Sequence, residues 1–324
     1  NAVWDGKTSI HSEGWSAEIR IPFNIFQFSK DSDQIWGATF QRGYFAKQEQ
    51  IHWPGRSKGV RGTIPHYGQI LGIKDIPQPK NIELVPYLLA GQTQSGSLTS
   101  KTNLGLDLRY NINSSTTLNM AFNPDFGQVE ADPSVLNLSA FETRLNEKRP
   151  FFVQGANFFS SWMRVFNSRR IGQRPGFIKP DSGDIVDQPN ETTILSAAKV
   201  LGETSTGVKY GIINAITNQE YASLEFEKDG KTVKKDFLIE PYSNYFVGRV
   251  TKPFINDLSE IGFMATDLKR NGYSDIATSL KGDFLINLLD NKFSLTGEYG
   301  STINDRKTGF GGRYRISYRN PVLW

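Results

Sequence analysis

The stretch Phe310-Gly311-Gly312-Arg313-Tyr314-Arg315-Ile316-Ser317-Tyr318-Arg319 has a strict two-residue alternation. Its aromatic and aliphatic residues stand at even-numbered positions and its arginines at odd-numbered ones. The two kinds of side chain would therefore face opposite sides of a strand. Aromatic-rich segments of about 9 to 11 residues match tilted membrane-spanning strands. The stretch predicts an all-β fold and favours a membrane barrel over a soluble sandwich.

The same alternation recurs upstream. Leu104–Tyr110 and Leu118–Phe122 alternate on either side of a turn at Asn113-Ser114, which predicts a hairpin with one polar face. Further strands are expected at 207–217, 242–251, 260–268, 277–288 and 292–300. We therefore predict an antiparallel transmembrane β-barrel over residues 79–324. Because the chain ends on a strand without a closing signal, we expect the barrel to be incomplete here.

Residues 1–78 show shorter strands. Trp15–Phe23 and Trp36–Tyr44 each alternate, and Gly68–Ile73 precedes the proline-rich Ile76-Pro77-Gln78-Pro79, which predicts a linker. We expect Trp15 and Trp36 to be core residues. The chain is thus divided into domains at 1–78 and 79–324.

The stretch 123–172 combines charges of both signs with the pairs Phe151-Phe152 and Phe158-Phe159. Its charges need partners and its phenylalanines need burial, which favours a segment folded inside the barrel lumen over a long surface loop. The expected lumen network comprises Asp125, Glu130, Asp132, Glu142, Glu147, Lys148, Arg149, Arg169 and Arg170. We expect it to face strand residues such as Arg313 and Arg315.

Composition excludes several classes of protein. Cysteine is absent, so disulfides, thiolate metal sites and cysteine nucleophiles are excluded. The net charge of +4 is small and the basic residues are dispersed, which argues against a nucleic-acid partner. No window approaches the roughly 20 apolar residues of a membrane helix.

Two groups of motifs carry a family resemblance. His11–Phe23, Trp36-Gly37 and His52-Trp53-Pro54 resemble the second half of a carbohydrate-binding family 9-type β-sandwich. Asn123–Pro133, Glu147–Phe152 and Ser168–Gly172 are similar to a Gram-negative outer-membrane family of unassigned function. In that family a family 9-like domain precedes a β-barrel, and members are often labelled membrane-associated hydrolases.

The resemblance implies a location in the outer membrane, with residues 1–78 as a partial sandwich in the periplasm. It implies a role in binding, transport or assembly at the envelope, with membrane lipid, glycan and other envelope proteins as partners. Trp53, together with Trp4 and Arg42, is the candidate glycan site, since sugar rings stack on aromatic faces. The alternative is that Trp53 is a packing residue of a loop.

Two other functions stay open. A glycan hydrolase would use Glu130, Asp132, Glu142 or Glu147, because glycoside hydrolysis needs two carboxyl groups across a cleft. A soluble β-rich binding protein is the second alternative. We expect no cofactor and no metal site, because the three histidines are widely separated. Calcium on Asp125, Gln128, Glu130 and Asp132 is a minor alternative that lacks the expected loop pattern.

Overall fold

The structure is a computed structural model of the chain. It describes residues 4–23, 26, 28, 31–55, 64–77, 82–95, 97–124, 146–176, 178, 184–228, 231–273, 277–289, 292–304 and 307–318. These residues are mostly in β-strands, so the expected all-β class is confirmed. Two compact units divide the chain: Asn1–Lys80 with Asn287–Ser294 and Ile316–Trp324, and Asn81–Ile286 with Leu295–Arg315. None of the helices in the described ranges is long and apolar enough to cross a membrane.

In its described residues, the N-terminal part of the chain has six short strands. They pair as three antiparallel two-stranded sheets, β1 with β2, β3 with β6 and β4 with β5. Their bounds are β1 Asp5–His11, β2 Gly14–Arg20, β3 Asp33–Ala38, β4 Phe40–Tyr44, β5 Glu49–Trp53 and β6 Gly68–Lys74.

Two local expectations for this part were wrong. The stretch 36–44 is not one strand, because β3 ends at Ala38 and β4 begins at Phe40 with a different partner. Trp15 is 62% exposed, since every residue of β1 and β2 is exposed and their hairpin packs under no second layer in the described ranges. Trp36 does form aromatic packing, with its ring 5.2 to 5.6 Å from those of Phe23, Phe26 and Phe28.

A large antiparallel sheet follows. Within the described residues it has ten strands in the order β19-β18-β17-β16-β15-β12-β11-β9-β8-β7, so β7 and β19 are its edges. The bounds are β7 Ile82–Ser95, β8 Ser97–Asn113, β9 Thr116–Phe122, β11 Ile194–Glu203, β12 Lys209–Thr217, β15 Ser243–Phe254, β16 Asn256–Arg270, β17 Ala277–Leu288, β18 Phe293–Asn304 and β19 Lys307–Tyr318. The expected hairpin at 104–122 is confirmed as β8 and β9, with the turn at Ser114-Ser115.

Two insertions interrupt this order. Between β9 and β11 lie the helices α1 Pro150–Val153 and α2 Ala156–Phe159, a 3-10 turn at Ser168–Arg170 and strand β10 Asp184–Asp187. Between β12 and β15 lies the hairpin of β13 Glu220–Lys228 and β14 Lys231–Glu240. Strand β10 pairs with β13, which makes a separate three-stranded sheet.

The two faces of the ten-stranded sheet differ. The covered face carries Lys199, Ile213 and Met264, and the segment 146–176 packs on it. The open face carries the alternate positions, such as Ile212 and Phe263, which are half exposed. This alternation follows from the pleat of each strand, and the register carries it from strand to strand.

Candidate functional site

The segment 123–193 leaves and rejoins the sheet at one place. Phe122 at the end of β9 lies opposite Ser196 of β11. The Asn123 backbone N–H donates to the Leu195 carbonyl at 2.8 Å, and Asn123 itself turns with φ of 45°. Asparagine tolerates this left-handed conformation better than most residues. The insertion therefore begins and ends on neighbouring strands, and residues 146–176 are placed on the covered face.

Aromatic side chains of this segment form the core of the site. Phe152, Phe159 and Ile171 are buried. They pack against buried sheet residues, namely Ile194, Ala197, Ile213, Ala215, Val247 and Met264. Burying each large apolar side chain contributes roughly 1.5 to 3 kcal/mol. The paired phenylalanines thus hold the segment on the sheet.

Two glycines permit the close approach. A Cβ on Gly211 of β12 would lie 2.7 Å from the rings of both Phe158 and Phe159. Gly155, which precedes α2, has a φ of 71°, and a Cβ there would collide with Leu201 of β11. Gly211 is therefore favoured because a side chain would meet the phenylalanine rings. Gly155 is favoured both because a side chain would meet Leu201 and because its backbone is left-handed.

Glu147 and Arg149 connect the start of the described segment to the 3-10 turn at 168–170. We call residues 146–149 together with 168–171 the Glu147 clasp. Arg149 donates to both carboxylate oxygens of Glu147, at 2.8 and 2.7 Å, and Ser168 Oγ donates to the same carboxylate at 2.6 Å. Arg149 also donates to the carbonyls of Ile171 and Ser168, each at 2.7 Å. Its guanidinium lies 4.3 Å from the centre of the Phe152 ring.

The clasp changes the acidity of Glu147. Burial alone would raise its pKa, but the hydrogen bonds and charge of Arg149 and the hydrogen bond from Ser168 outweigh burial and lower the pKa to about 2. Glu147 is therefore ionised at neutral pH, and its oxygens are occupied by hydrogen bonds. Such a carboxylate holds structure together and is poorly suited to donate a proton.

Lys199 of β11 holds the first helix. It is 1% exposed and donates to the carbonyl of Gln154 at 2.5 Å and to that of Phe151. These carbonyls lie at the C-terminal end of α1, where backbone acceptors have no helical partner and a cation is favourable. Burying the Lys199 ammonium group without partners would be costly, and the segment supplies its hydrogen-bond acceptors.

Three charged residues lie under the second helix. Arg249 of β15 donates to the Ser160 carbonyl at 3.0 Å and to Asp283 of β17 at 3.1 Å. Lys281, 1% exposed, has its Nζ 2.8 Å from the other oxygen of Asp283, in an ion pair without hydrogen-bond geometry. The group connects β15 and β17 beneath the end of α2.

Glu298 and Arg313 hold the chain beyond α2. The Glu298 carboxylate of β18 accepts from the backbone N–H groups of Trp162 and Met163 at 3.0 and 2.7 Å. The Arg313 guanidinium of β19 lies 3.5 Å from the centre of the Trp162 ring. Together with Lys199 and Arg249, these strand residues bind mainly backbone atoms and one aromatic ring of the segment.

The structure brings together part of the expected network. Glu147, Arg149 and Arg169 meet in the clasp, where Arg169 Nε lies 3.9 Å from Glu147 and the Lys148 backbone N–H donates to Glu147 at 3.1 Å. Arg170 is exposed on the same turn. Arg313 contacts the Trp162 ring, and its expected ion pairing with carboxylates of the segment stays a prediction. Four further candidates, Asp125, Glu130, Asp132 and Glu142, lie outside the described residues.

Sequence reasoning missed the strand residues that hold the segment, which are Lys199, Arg249 and Glu298, and the ion pair of Lys281 and Asp283 beside Arg249. Each stands at a covered-face position of an alternating strand. Their register positions are a signal that could have identified them as facing the segment. What each one binds depends on the path of residues 146–176, which shows no regular periodicity.

The candidate glycan residues lie in the N-terminal unit. Trp53 and Arg42 share one face of the β4–β5 hairpin, because Phe40 pairs with Trp53 and Arg42 pairs with Ile51. The Trp53 ring is 49% exposed and lies 5.6 Å from that of Phe40. Trp4 lies near Gly6, beside the β1–β2 sheet.

Metal binding finds no support in the described ranges. They contain no group of three or more His, Asp or Glu side chains placed to hold a metal ion. The residues considered for calcium all lie in 125–132, beyond what the structure describes.

Comparison with known families bears on the sheet and its segment. Residues 78–320 match the family described as a domain of unknown function, DUF5916. The chain belongs to the DUF5916 family. The DUF5916 region contains all ten strands of the large sheet and the whole segment 123–172, whereas β1 to β6 precede it. No curated protein and no solved structure matched the chain.

Proposed function

We propose that this DUF5916 chain forms part of an outer-membrane β-barrel whose lumen is filled by the segment 123–172. Its role is binding, transport or assembly at the cell envelope rather than catalysis. The observation that carries the proposal is the distribution of polarity on the ten-stranded sheet. Its open face is apolar, and its covered face buries charged residues beside the apolar cluster on which the segment packs.

The open face supports contact with lipid. Phe310, Tyr314 and Ile316 of β19 are 69%, 67% and 68% exposed. The open face carries similar residues on the other strands, including Leu84, Leu88, Leu104, Ile212, Val250, Ile261, Phe263 and Tyr299. An apolar surface spread over so many strands is unfavourable in water and favourable in a bilayer.

The covered face supports a polar lumen. Lys199 and Lys281 are almost fully buried there, and Arg249, Asp283 and Glu298 lie on the same side. A soluble sheet that buries one face normally buries its apolar one. The described sheet of this chain instead leaves an apolar face open and buries charged residues beside an apolar cluster on its covered face, as expected when lipid covers one face and a partly polar interior lies behind the other.

The connections between strands support an orientation. At one end they are short: 114–115, 204–208, Ile255 and 289–292. At the other end they include the insertions 123–193 and 218–242. Outer-membrane barrels have short periplasmic turns and long extracellular loops. The chain enters β7 at the short-turn end, since Ile82 pairs with Tyr110 near the end of β8. This supports the proposal that residues 1–78 lie in the periplasm.

For the N-terminal part we propose glycan binding on the face that carries Trp53 and Arg42. An exposed tryptophan beside a second aromatic ring can stack on a sugar, and an arginine on the same face can hydrogen-bond its hydroxyl groups. This proposal rests on the shared face of the β4–β5 hairpin. Of the four carboxylates considered for a hydrolase, the described residues include Glu147, and its ionised carboxylate is engaged in the clasp and is poorly suited to donate a proton.

Membrane extraction and gel mobility test the barrel. The full-length protein should stay with membranes after carbonate washing, and after detergent extraction it should migrate differently on a gel when boiled and unboiled. Folded barrels resist detergent until heated because all their strands are hydrogen-bonded. Release by carbonate together with identical migration in both samples contradicts the proposal and favours a soluble β-rich protein.

A further inference from the structure

The open face has a groove of about 560 Å³ that crosses β15 to β19. Its walls are apolar, being formed by Val250, Ile261, Phe263, Phe284, Tyr299 and Tyr314. This volume lies within the roughly 300 to 1,000 Å³ of cavities that hold small molecules. The groove belongs to one compact unit and lies on the side away from the segment 146–176.

Missing side chains create the groove. Gly282 of β17 pairs with Phe263 in the sheet, is exposed, and stands where an alternating strand would normally place an apolar side chain. A Cβ at Gly282 would meet nothing closer than the Gly262 carbonyl oxygen at 4.0 Å. Beside it, the rings of Phe284 and Tyr314 cover Gly297, with their centres 6.4 Å apart. The floor of the groove is therefore open at Gly282.

A cation stands at one end of the groove. Lys252 lines it, pairs with Ile261 in the sheet and is exposed on the open face. It lies towards the short-turn end of β15, which ends at Phe254. A lysine in this position can lay its methylene chain along apolar surface and extend its ammonium group to the membrane interface. The site thus combines an apolar trough with one positive charge at its end.

We propose that the groove binds one acyl chain of a phospholipid whose phosphate pairs with Lys252. The inference deepens the proposed function and rests on it, because only a protein in a bilayer presents this face to lipid. The chemistry of the site matches an amphiphile with an apolar chain and an anionic head. A second copy fits less well, because pairing this groove with itself would leave the trough unfilled and bring two Lys252 side chains together.

Native mass spectrometry of the full-length protein in detergent tests the groove, with dioleoyl phosphatidylglycerol as the added lipid. The wild-type protein should retain one lipid per chain. Gly282→Leu should reduce the lipid-bound fraction about tenfold, because the new side chain fills the trough without a backbone clash. Leu88→Phe, which enlarges an open-face side chain on β7, should bind like the wild type.

Lys252→Gln tests the head-group contact. It should weaken phosphatidylglycerol binding about fivefold, the effect of one basic residue near an anionic membrane surface. It should leave binding of dioleoylglycerol, which has no phosphate, unchanged. Equal lipid retention by wild type, Gly282→Leu and Leu88→Phe overturns the proposal, as does a wild-type protein that retains no lipid.

Two further results distinguish the lipid site from an interface between copies and from the barrel itself. If the wild type is a dimer without lipid and Gly282→Leu is a monomer, the groove is an interface between copies and the lipid proposal is wrong. The barrel itself is judged by carbonate extraction and heat-dependent migration, which none of these substitutions should alter. The lipid site can therefore fail while the proposed function stands.

Discussion

At the scale of single residues, buried charges of the sheet bind the backbone of the segment. Lys199 donates hydrogen bonds to carbonyls at the end of α1, and Arg249 donates one to the Ser160 carbonyl. Glu298 accepts hydrogen bonds from two backbone N–H groups. An ion buried without such partners would cost several kcal/mol. The charges of the covered face and the path of the segment therefore stabilise each other.

Replacing Lys199 with methionine should loosen α1. The substitution keeps the side chain long but leaves the carbonyls of Phe151 and Gln154 without their donor, a cost of about 1 to 3 kcal/mol. Hydrogen exchange of the amides at 152–154 should become faster by a corresponding factor. Lys252→Met, an exposed lysine on the open face, serves as the control and should leave these amides unchanged. Unchanged protection in Lys199→Met would show that the aromatic core alone holds the helix.

Acid should weaken the clasp through Glu147. Its pKa is about 2 in the folded protein and 4.5 in the unfolded reference, so ionisation stabilises the fold above pH 4.5. This contribution, about 3 kcal/mol, is lost as the pH falls from 4.5 towards 2. Protease cleavage within 146–171 should increase over that range. Glu147→Gln should cleave more readily at pH 7 and show a smaller change with pH, whereas an identical pH profile in the variant contradicts this account.

At the scale of secondary-structure elements, the short helices depend on contacts with residues that are distant in the sequence. Helices α1 and α2 have four residues each, too short to be stable alone. The clasp joins residue 147 to residue 168, and the phenylalanines rest on β11, β12 and β15. Long strands, in contrast, have their register fixed by alternation along nine to seventeen residues.

A double-mutant cycle should show that the clasp acts as a unit. Removing one member of a buried ion pair costs about 3 to 5 kcal/mol when burial is complete. We expect Arg149→Ala to cost more than Glu147→Ala, because Arg149 also donates to two carbonyls. The double variant should cost less than the sum of the two single variants. Proteolysis rates of the segment measure all three, and strictly additive effects would mean that the two side chains act independently.

Adjacent positions of β19 should differ in how much a change of charge destabilises the protein. Tyr314→Arg places a charge on the open face near the middle of β19 and should cost about 2 to 4 kcal/mol where lipid covers it near the bilayer centre. Arg315→Ser removes a charge from the other side and should cost much less. Unfolding in lipid vesicles with urea gives both free energies. Equal costs for the two variants would contradict the assignment of the faces.

At the scale of the whole molecule, the polarity of the sheet and the placement of the segment form one arrangement. The segment supplies backbone partners for the charges of the covered face, and its aromatic residues cover Ile213, Val247 and Met264. In the proposed barrel this makes 123–172 a resident plug. Its removal should open a pathway through the lumen.

Conductance in planar bilayers tests the plug. The full-length protein should be nearly silent, and replacing 125–176 with a short Gly-Ser linker should produce steady channels, because Asn123 and Leu195 are already neighbours. Should that variant fail to fold, Arg249→Ala combined with Glu298→Ala should give intermittent openings by releasing residues 160–163 of the segment. Silent membranes in a folded deletion variant contradict a plug, and so does a wild type that conducts steadily.

Strand positions and faces could be predicted from the sequence wherever alternation was unbroken. The hairpin of β8 and β9 and the strands β12 and β15 to β19 were found this way, because a two-residue period is a local property of the chain. Strands β1, β5, β7, β10, β11, β13 and β14 were missed. In β11 the apolar pattern is interrupted by Lys199, whose burial makes sense only when the carbonyls of α1 stand above it.

The composition of the segment 123–172 determined that its phenylalanines would be buried and its charges would need partners. Which partners they found was decided by the tertiary structure alone. Glu147 and Arg149 pair with each other and with residue 168 because the segment folds back on itself there. Periodicity reports which side of a strand a residue faces, but an irregular segment has no period. Its path is fixed only by the contacts that it makes with the sheet.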